Sequence, residues 1–159
     1  MEPEVQMSEE QKLTEYESHE KFAKDCFNHV WTLLENEDRT IEEDDEMVHA
    51  AHASRYHWGI IGEAVHRARG EWQVSRVYAE LNSPEPSKYH GLRCLSLVED
   101  NDLGAFDRAY AYETLARSAS VARNKTERDH YLALAREAAE GIEEDDNKKM
   151  LLDDLNSIA

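Results

Sequence analysis

The chain of 159 residues carries 35 acidic against 18 basic side chains, a formal charge of −17. At physiological salt such a surface repels phosphate backbones and anionic headgroups, which argues against nucleic acid and membrane as partners. With three Pro, six Gly and no run of alternating β-branched residues, the pattern predicts an all-α protein.

Met1 to Gln11 is acidic rather than basic and then apolar, and no apolar run approaches the ~18 residues of a membrane span. Cys26 and Cys94 lie far apart and make no metal or redox spacing, so they read as reduced thiols and the expected location is cytoplasmic. Residues 1–10 are polar and rich in Glu and read as a disordered acidic tail. Residues 11–159 read as a single helical domain.

In chain order, Leu13 to Glu35 places Phe22, Cys26, Val30, Leu33 and Leu34 on a helical stripe, with Phe27 and Trp31 beside it. Thr40-Ile41-Glu42-Glu43 has the form of a capping box, and a second helix runs from it to about Trp58. Gly59 and Gly62 bracket Ile60-Ile61 and predict a turn near Gly62. The third helix begins at Ala64 and is the one the others are arranged around. Ala64, Ala68, Trp72, Ser75 and Ala79 form one line on it and Val74, Val77, Tyr78 and Leu81 another, so it needs neighbours on two sides. Gly70 costs that helix roughly 1 kcal/mol against Ala and suits a close helix contact.

Asn82-Ser83-Pro84-Glu85-Pro86 reads as a tight turn. Asn tolerates the left-handed conformation that ends a helix, and Pro lacks the N–H that a first helical turn leaves unused. So short a turn forces an antiparallel return. The fourth helix, Pro86 to Asp100, spaces Leu92, Leu95 and Val98 three apart and presents one apolar side only. After a turn at Asn101 to Gly104, a fifth helix, Ala105 to Arg123, is again apolar around much of its circumference. Asn124 with Glu127 reads as an N-cap for a sixth helix that carries Tyr131, Leu134, Ala135, Ala138 and Ile142 on one face. Lys148 to Ile158 makes a short closing helix.

A two-sided helix followed by a one-sided helix, twice over, is the mark of stacked helix pairs, here residues 63–101 and 104–142. A shift of 41 residues lays Val74-Ser75 and Tyr78 over Leu115-Ala116 and Ala119, and Cys94 over Ala135. Here the sequence resembles the tetratricopeptide repeat, with a large apolar, a small and then an aromatic or small residue along the first helix of each pair. The resemblance implies a short right-handed array of about six to seven helices. It also implies close helix contacts at Ser87, Gly91 and Cys94. Its further implication is a concave face, drawing on Arg69, Trp72, Gln73, Arg76, Tyr112, Glu113 and Arg117, that accepts a peptide or protein partner. A second copy of the chain is among the candidate partners. The segments His52 to Trp58 and Ala68 to Tyr78 also resemble those of an uncharacterised group of bacterial proteins.

Arg67, Arg69, Arg76 and Arg93 are the one candidate basic patch, and the surplus of carboxylates predicts that they are paired within the chain. Eight histidines are many for this length. Glu46/His49, Glu63/His66 and Glu127/His130 have the Glu-x-x-His spacing that two helices of a di-iron bundle supply. The alternative reading is therefore a metal site built from Glu46, His49, Glu63 and His66. His52 and Tyr56, four apart, suit a hydrogen bond within a buried network. There is no Gly-rich phosphate loop, nucleophile elbow or HExxH, and the expectation is an interaction module without catalysis and without a cofactor.

Overall fold

The computed structural model describes residues 12–159. Among them the chain is all-helical, with seven helices: α1 (Glu15–Glu35), α2 (Ile41–Ile61), α3 (Ala64–Glu80), α4 (Pro84–Asp100), α5 (Ala105–Val121), α6 (Lys125–Ala139) and α7 (Asp145–Asn156). The expected acidic tail at residues 1–10 lies outside the described residues.

Each helix packs on the next in sequence. Beyond that, α3 touches α5, α1 touches α3 and α7 touches α5. The two helices expected to need neighbours on two sides, α3 and α5, thus form the middle of an array of adjacent pairs.

Local chemistry sets the element ends. Thr40 and Glu43 form the expected capping box, Thr40 N–H donating to Glu43 at 2.8 Å and Glu43 N–H to the Thr40 hydroxyl at 3.2 Å. Thr14 and Glu17 form a second box at the start of α1. Asn124 caps α6 by accepting from Glu127 N–H at 3.1 Å. At the end of α1, Arg39 donates to the carbonyls of Leu33 and Asn36 at 3.0 and 2.8 Å and also holds Asp44 at 2.7 Å. One guanidinium thereby satisfies the last turn of α1 and pins it to the first turn of α2.

The 41-residue shift has a backbone counterpart. It carries α3 onto α5 end to end, and both helices have 17 residues. They also end alike: Asn82 and Arg123 are both left-handed, at φ 55° and 59°. In each, the following residue donates its N–H back five positions, Ser83 to Tyr78 O and Asn124 to Ala119 O, both at 2.9 Å.

Two expected apolar stripes are buried only in part, Val98 on α4 and Val30 and Leu33 on α1. On α4 the buried residues are Ser87, Gly91, Cys94 and Val98, while Leu92 is 40% exposed. Gly91 sits where a Cβ would meet Leu115 Cδ2 at 2.9 Å, so small residues bring α4 against α5 more closely than leucines allow. On α1, Ala23, Val30 and Leu33 are buried and Phe22 is 50% exposed. Gly70 does serve a close approach, because a Cβ there would meet Arg55 of α2 at 2.8 Å.

Where α3, α4 and α5 meet, an apolar cluster of Ala68, Cys94, Val98 and Ala111 lies beside a polar one. Ser75, Ser87, Thr114 and Ser118 are all buried. The Ser75 hydroxyl lies 2.7 Å from that of Thr114 and from Ser87 O, and the hydroxyls of Ser87 and Ser118 are 2.6 Å apart. Small hydroxyl side chains let three helices approach without leaving a buried donor unpaired.

Candidate functional site: the face of α3 and α5

Trp72 and Glu113 occupy corresponding positions of α3 and α5, and the indole N–H donates to the Glu113 carboxylate at 3.0 Å. Glu113 is 1% exposed and also pairs with Arg117 one turn on. Arg117 in turn donates to Asp154 O at 3.2 Å and to the Ser157 hydroxyl at 3.0 Å on the closing helix. Tyr110 donates to the Asp154 carboxylate at 2.7 Å, and burial with that bond pushes its phenol well above the ordinary value. These bonds fix α7 along one side of the face.

Helix α1 runs along the other side. The Gln73 amide donates to Phe27 O at 3.0 Å, and the Trp31 and Trp72 rings lie 5.6 Å apart. Between α1 and α7 remains an open cavity of about 280 Å³. Its walls are Phe27 and Trp31 on α1 and Met150 on α7; its floor is Trp72 of α3 with Phe106 and Tyr110 of α5. At its rim the Arg69 guanidinium binds Asp107 at 2.9 Å and lies 5.7 Å from the centre of the Phe106 ring. The lining is aromatic, with a few fixed polar groups, the composition of a site for an apolar ligand group.

The residues expected on a concave face therefore divide. Arg69 and Trp72 line the cavity. Gln73 is fully buried beneath α1, and its Oε1 has no hydrogen-bond partner among the described residues. Glu113 is buried as the acceptor for Trp72 and Arg117, which leaves it to hold the floor rather than a partner. Tyr112 points to the α6 side of α5 and stacks with Tyr131 at 6.3 Å. Arg76 and Arg117 line a second cavity of about 230 Å³, further along the same two helices. Sequence reasoning missed Phe27, Trp31 and Met150, because nothing local in α1 or α7 says which face of which helix it will overlie. It also missed Phe106 and Tyr110 of α5, seven and three residues before Glu113 and so on its helical face, a spacing that was there to be read.

Among the described residues, the expectation that the four arginines are paired with carboxylates holds for Arg69 only. Arg67 donates to Gly62 O at 2.9 Å, Arg93 is exposed, and Arg76 makes no ion pair with a described residue.

Six of the eight histidines are engaged in contacts between helices. Glu46 pairs with His29 across α1 and α2 at 3.2 Å, and His49 is exposed. Glu63 and His66 form the start of α3, with Glu63 N–H donating to His66 Nδ1 at 3.1 Å and the His66 ring stacked on Trp58 at 4.3 Å. Glu46, His49, Glu63 and His66 are not brought together. Among the described residues no group of three or more His, Cys, Asp or Glu side chains is placed to hold a metal ion. His52 does not bond Tyr56, which is exposed; its Nε2 lies 2.9 Å from the Tyr78 hydroxyl. Beside it His90 Nδ1 lies 2.7 Å from Glu71, which also accepts from Arg55 at 3.0 Å. Cys26 and Cys94 are free thiols, and burial pushes both up. No described helix is long and apolar enough to cross a membrane.

Comparison with protein-family models, with curated proteins and with solved structures finds no match to this chain.

Proposed function

We propose that the protein is an interaction module, tetratricopeptide-like in its stacked pairs, that binds a peptide segment of another protein in the groove between α1 and α7. The observation that carries this reading is the open cavity of about 280 Å³ floored by Trp72 and Tyr110. It has room for one large apolar side chain, and rigid aromatic walls are good anchors because they lose little entropy on contact. The groove opens in a surface of net charge −17, so the fitting segment carries basic residues beside its apolar anchor. The reading assigns the protein no catalysis and no cofactor. Free thiols at Cys26 and Cys94 suit a reducing compartment, and the cytoplasm is the proposed location.

Fluorescence titration with peptides that have a single Trp, Phe or Leu between lysines tests the reading. Binding should quench or shift the Trp31 and Trp72 emission, weaken with salt, and be lost in Trp31→Ala. Equal binding to wild type and Trp31→Ala would overturn it.

A further inference from the structure

Arg76 differs from the other arginines of this face. Arg69 holds Asp107 and Arg117 holds Glu113. Among the described residues the Arg76 Nε–H is buried without an acceptor, and no carboxylate oxygen lies within the 4.0 Å of an ion pair. The chain has 35 acidic side chains for 18 basic ones, so acceptors are not scarce.

The nearby carboxylates are committed elsewhere. Glu80 binds Arg39 at 3.3 Å, Glu113 accepts from Trp72 at 3.0 Å, and Asp154 accepts from Tyr110 at 2.7 Å. Beside Arg76 lies the cavity of about 230 Å³, lined also by Glu80, Arg117, Ser120 and Ser157. Ser120 donates to Ala159 O at 2.6 Å, and Ser157 accepts from Arg117. Burial, with Arg117 adding to it, lowers the Arg76 guanidinium from its ordinary value against the pull of Glu113, Glu80 and Asp154. Its charge nevertheless remains, since arginine is not deprotonated in proteins.

We propose that this cavity is an oxyanion-binding site, in which Arg76, supported by the charge of Arg117, takes a phosphate or a carboxylate group. A guanidinium presents its N–H groups as a planar fork that matches two oxygens of such an anion. Nε is closed off, and the fork offered at the cavity wall is the pair of terminal Nη groups, which make no hydrogen bond to a described residue. Glu80 at the wall and the net negative charge oppose free anions in solution, so binding is weak and tightens when screening removes the long-range repulsion. The site does not depend on what fills the aromatic groove.

The test is ¹H–¹⁵N spectroscopy of the arginine side chains in the full chain. It is titrated with inorganic phosphate and separately with acetate, each against sodium chloride at equal ionic strength. The Arg76 Nε–H resonance should move saturably with at least one oxyanion and not with chloride. Response to phosphate alone assigns a phosphate site, and response to acetate a carboxylate site. Arg117 lines the same cavity, so its Nε–H resonance should follow the same titration. Arg76→Lys, which keeps the charge and loses the fork, should weaken that Arg117 response at least about tenfold, and Trp31→Ala should leave both responses unchanged. An Arg76 resonance that moves no more than with chloride would overturn the proposal, as would an unchanged midpoint of the Arg117 response in Arg76→Lys.

Discussion

The indole N–H of Trp72 is bonded to the carboxylate of Glu113 at 3.0 Å, joining a residue of α3 to its counterpart 41 positions on in α5. Through Glu113 the same contact reaches Arg117 and, from there, Asp154 and Ser157 of α7. The floor of the groove and one of its walls therefore share a single buried carboxylate.

Glu113→Gln should destabilise the protein by about 3 kcal/mol, because it leaves Arg117 half-buried without its carboxylate while the amide oxygen still accepts from Trp72. Urea denaturation followed by tryptophan emission checks this. A change below about 1 kcal/mol would mean that the pair is screened as a surface pair is.

Gly91→Ala should cost about 1–3 kcal/mol, although alanine favours helices, because the added methyl meets Leu115 at 2.9 Å and the Ser75 hydroxyl at 3.3 Å. Thermal melting gives the sign. Stabilisation would show that α4 and α5 are less closely apposed than described.

Arg123 ends α5 at φ 59°, a conformation that costs an ordinary side chain roughly 1 kcal/mol and glycine little. Arg123→Gly should therefore stabilise the protein by about 0.5–1 kcal/mol in denaturant unfolding. The same change at Asn82, a residue that tolerates the conformation, should gain less.

Burial, with the charge of His90 adding to it, lowers His52 below the ordinary histidine value; His49 acts the same way and Glu71 opposes. His57 is lowered by burial and by its neighbour His19. As the pH falls through about 6.5 the unfolded chain therefore takes up protons before the folded one does. The histidine contribution is complete above that pH and is lost toward the folded-state values. Glu71 acts at lower pH. Burial alone would raise it, but the bond from His90 and the charge of Arg55 outweigh burial and hold it below the ordinary carboxylate value. Its contribution is full above the unfolded value and disappears as the pH falls through the folded one. Stability measured from pH 7 to pH 4 should decline throughout, and His52→Gln should flatten the first part of the decline. An unchanged slope between pH 6.5 and pH 5.5 would contradict this.

Much of the array is legible in the sequence because its signals are local. The Thr40-x-x-Glu43 box, Asn82 before two prolines and the two-line pattern of α3 each act within one turn of chain. The Thr14-x-x-Glu17 box is written in the same letters and is equally local. The α4 contact was harder to place by hydrophobicity, since Ser87, Gly91 and Cys94 pack by being small and Leu92 is left outside. The repeat pattern did point to those three. Of the groove, Trp72 on the floor and Arg69 at the rim are legible, because they lie on the expected face, whereas Phe27, Trp31 and Met150 reach it through contacts between distant helices, which leave no periodic trace.

The most direct test of the groove is selection of displayed peptides on the full chain, followed by titration of the selected sequences against wild type, Trp31→Ala and Met150→Ala. Peptides with one large apolar residue and basic neighbours should emerge, and each substitution should weaken them at least about tenfold, the effect of losing one buried anchor contact. An absence of binders, or binders indifferent to both substitutions, would contradict the assignment of this groove as the partner site.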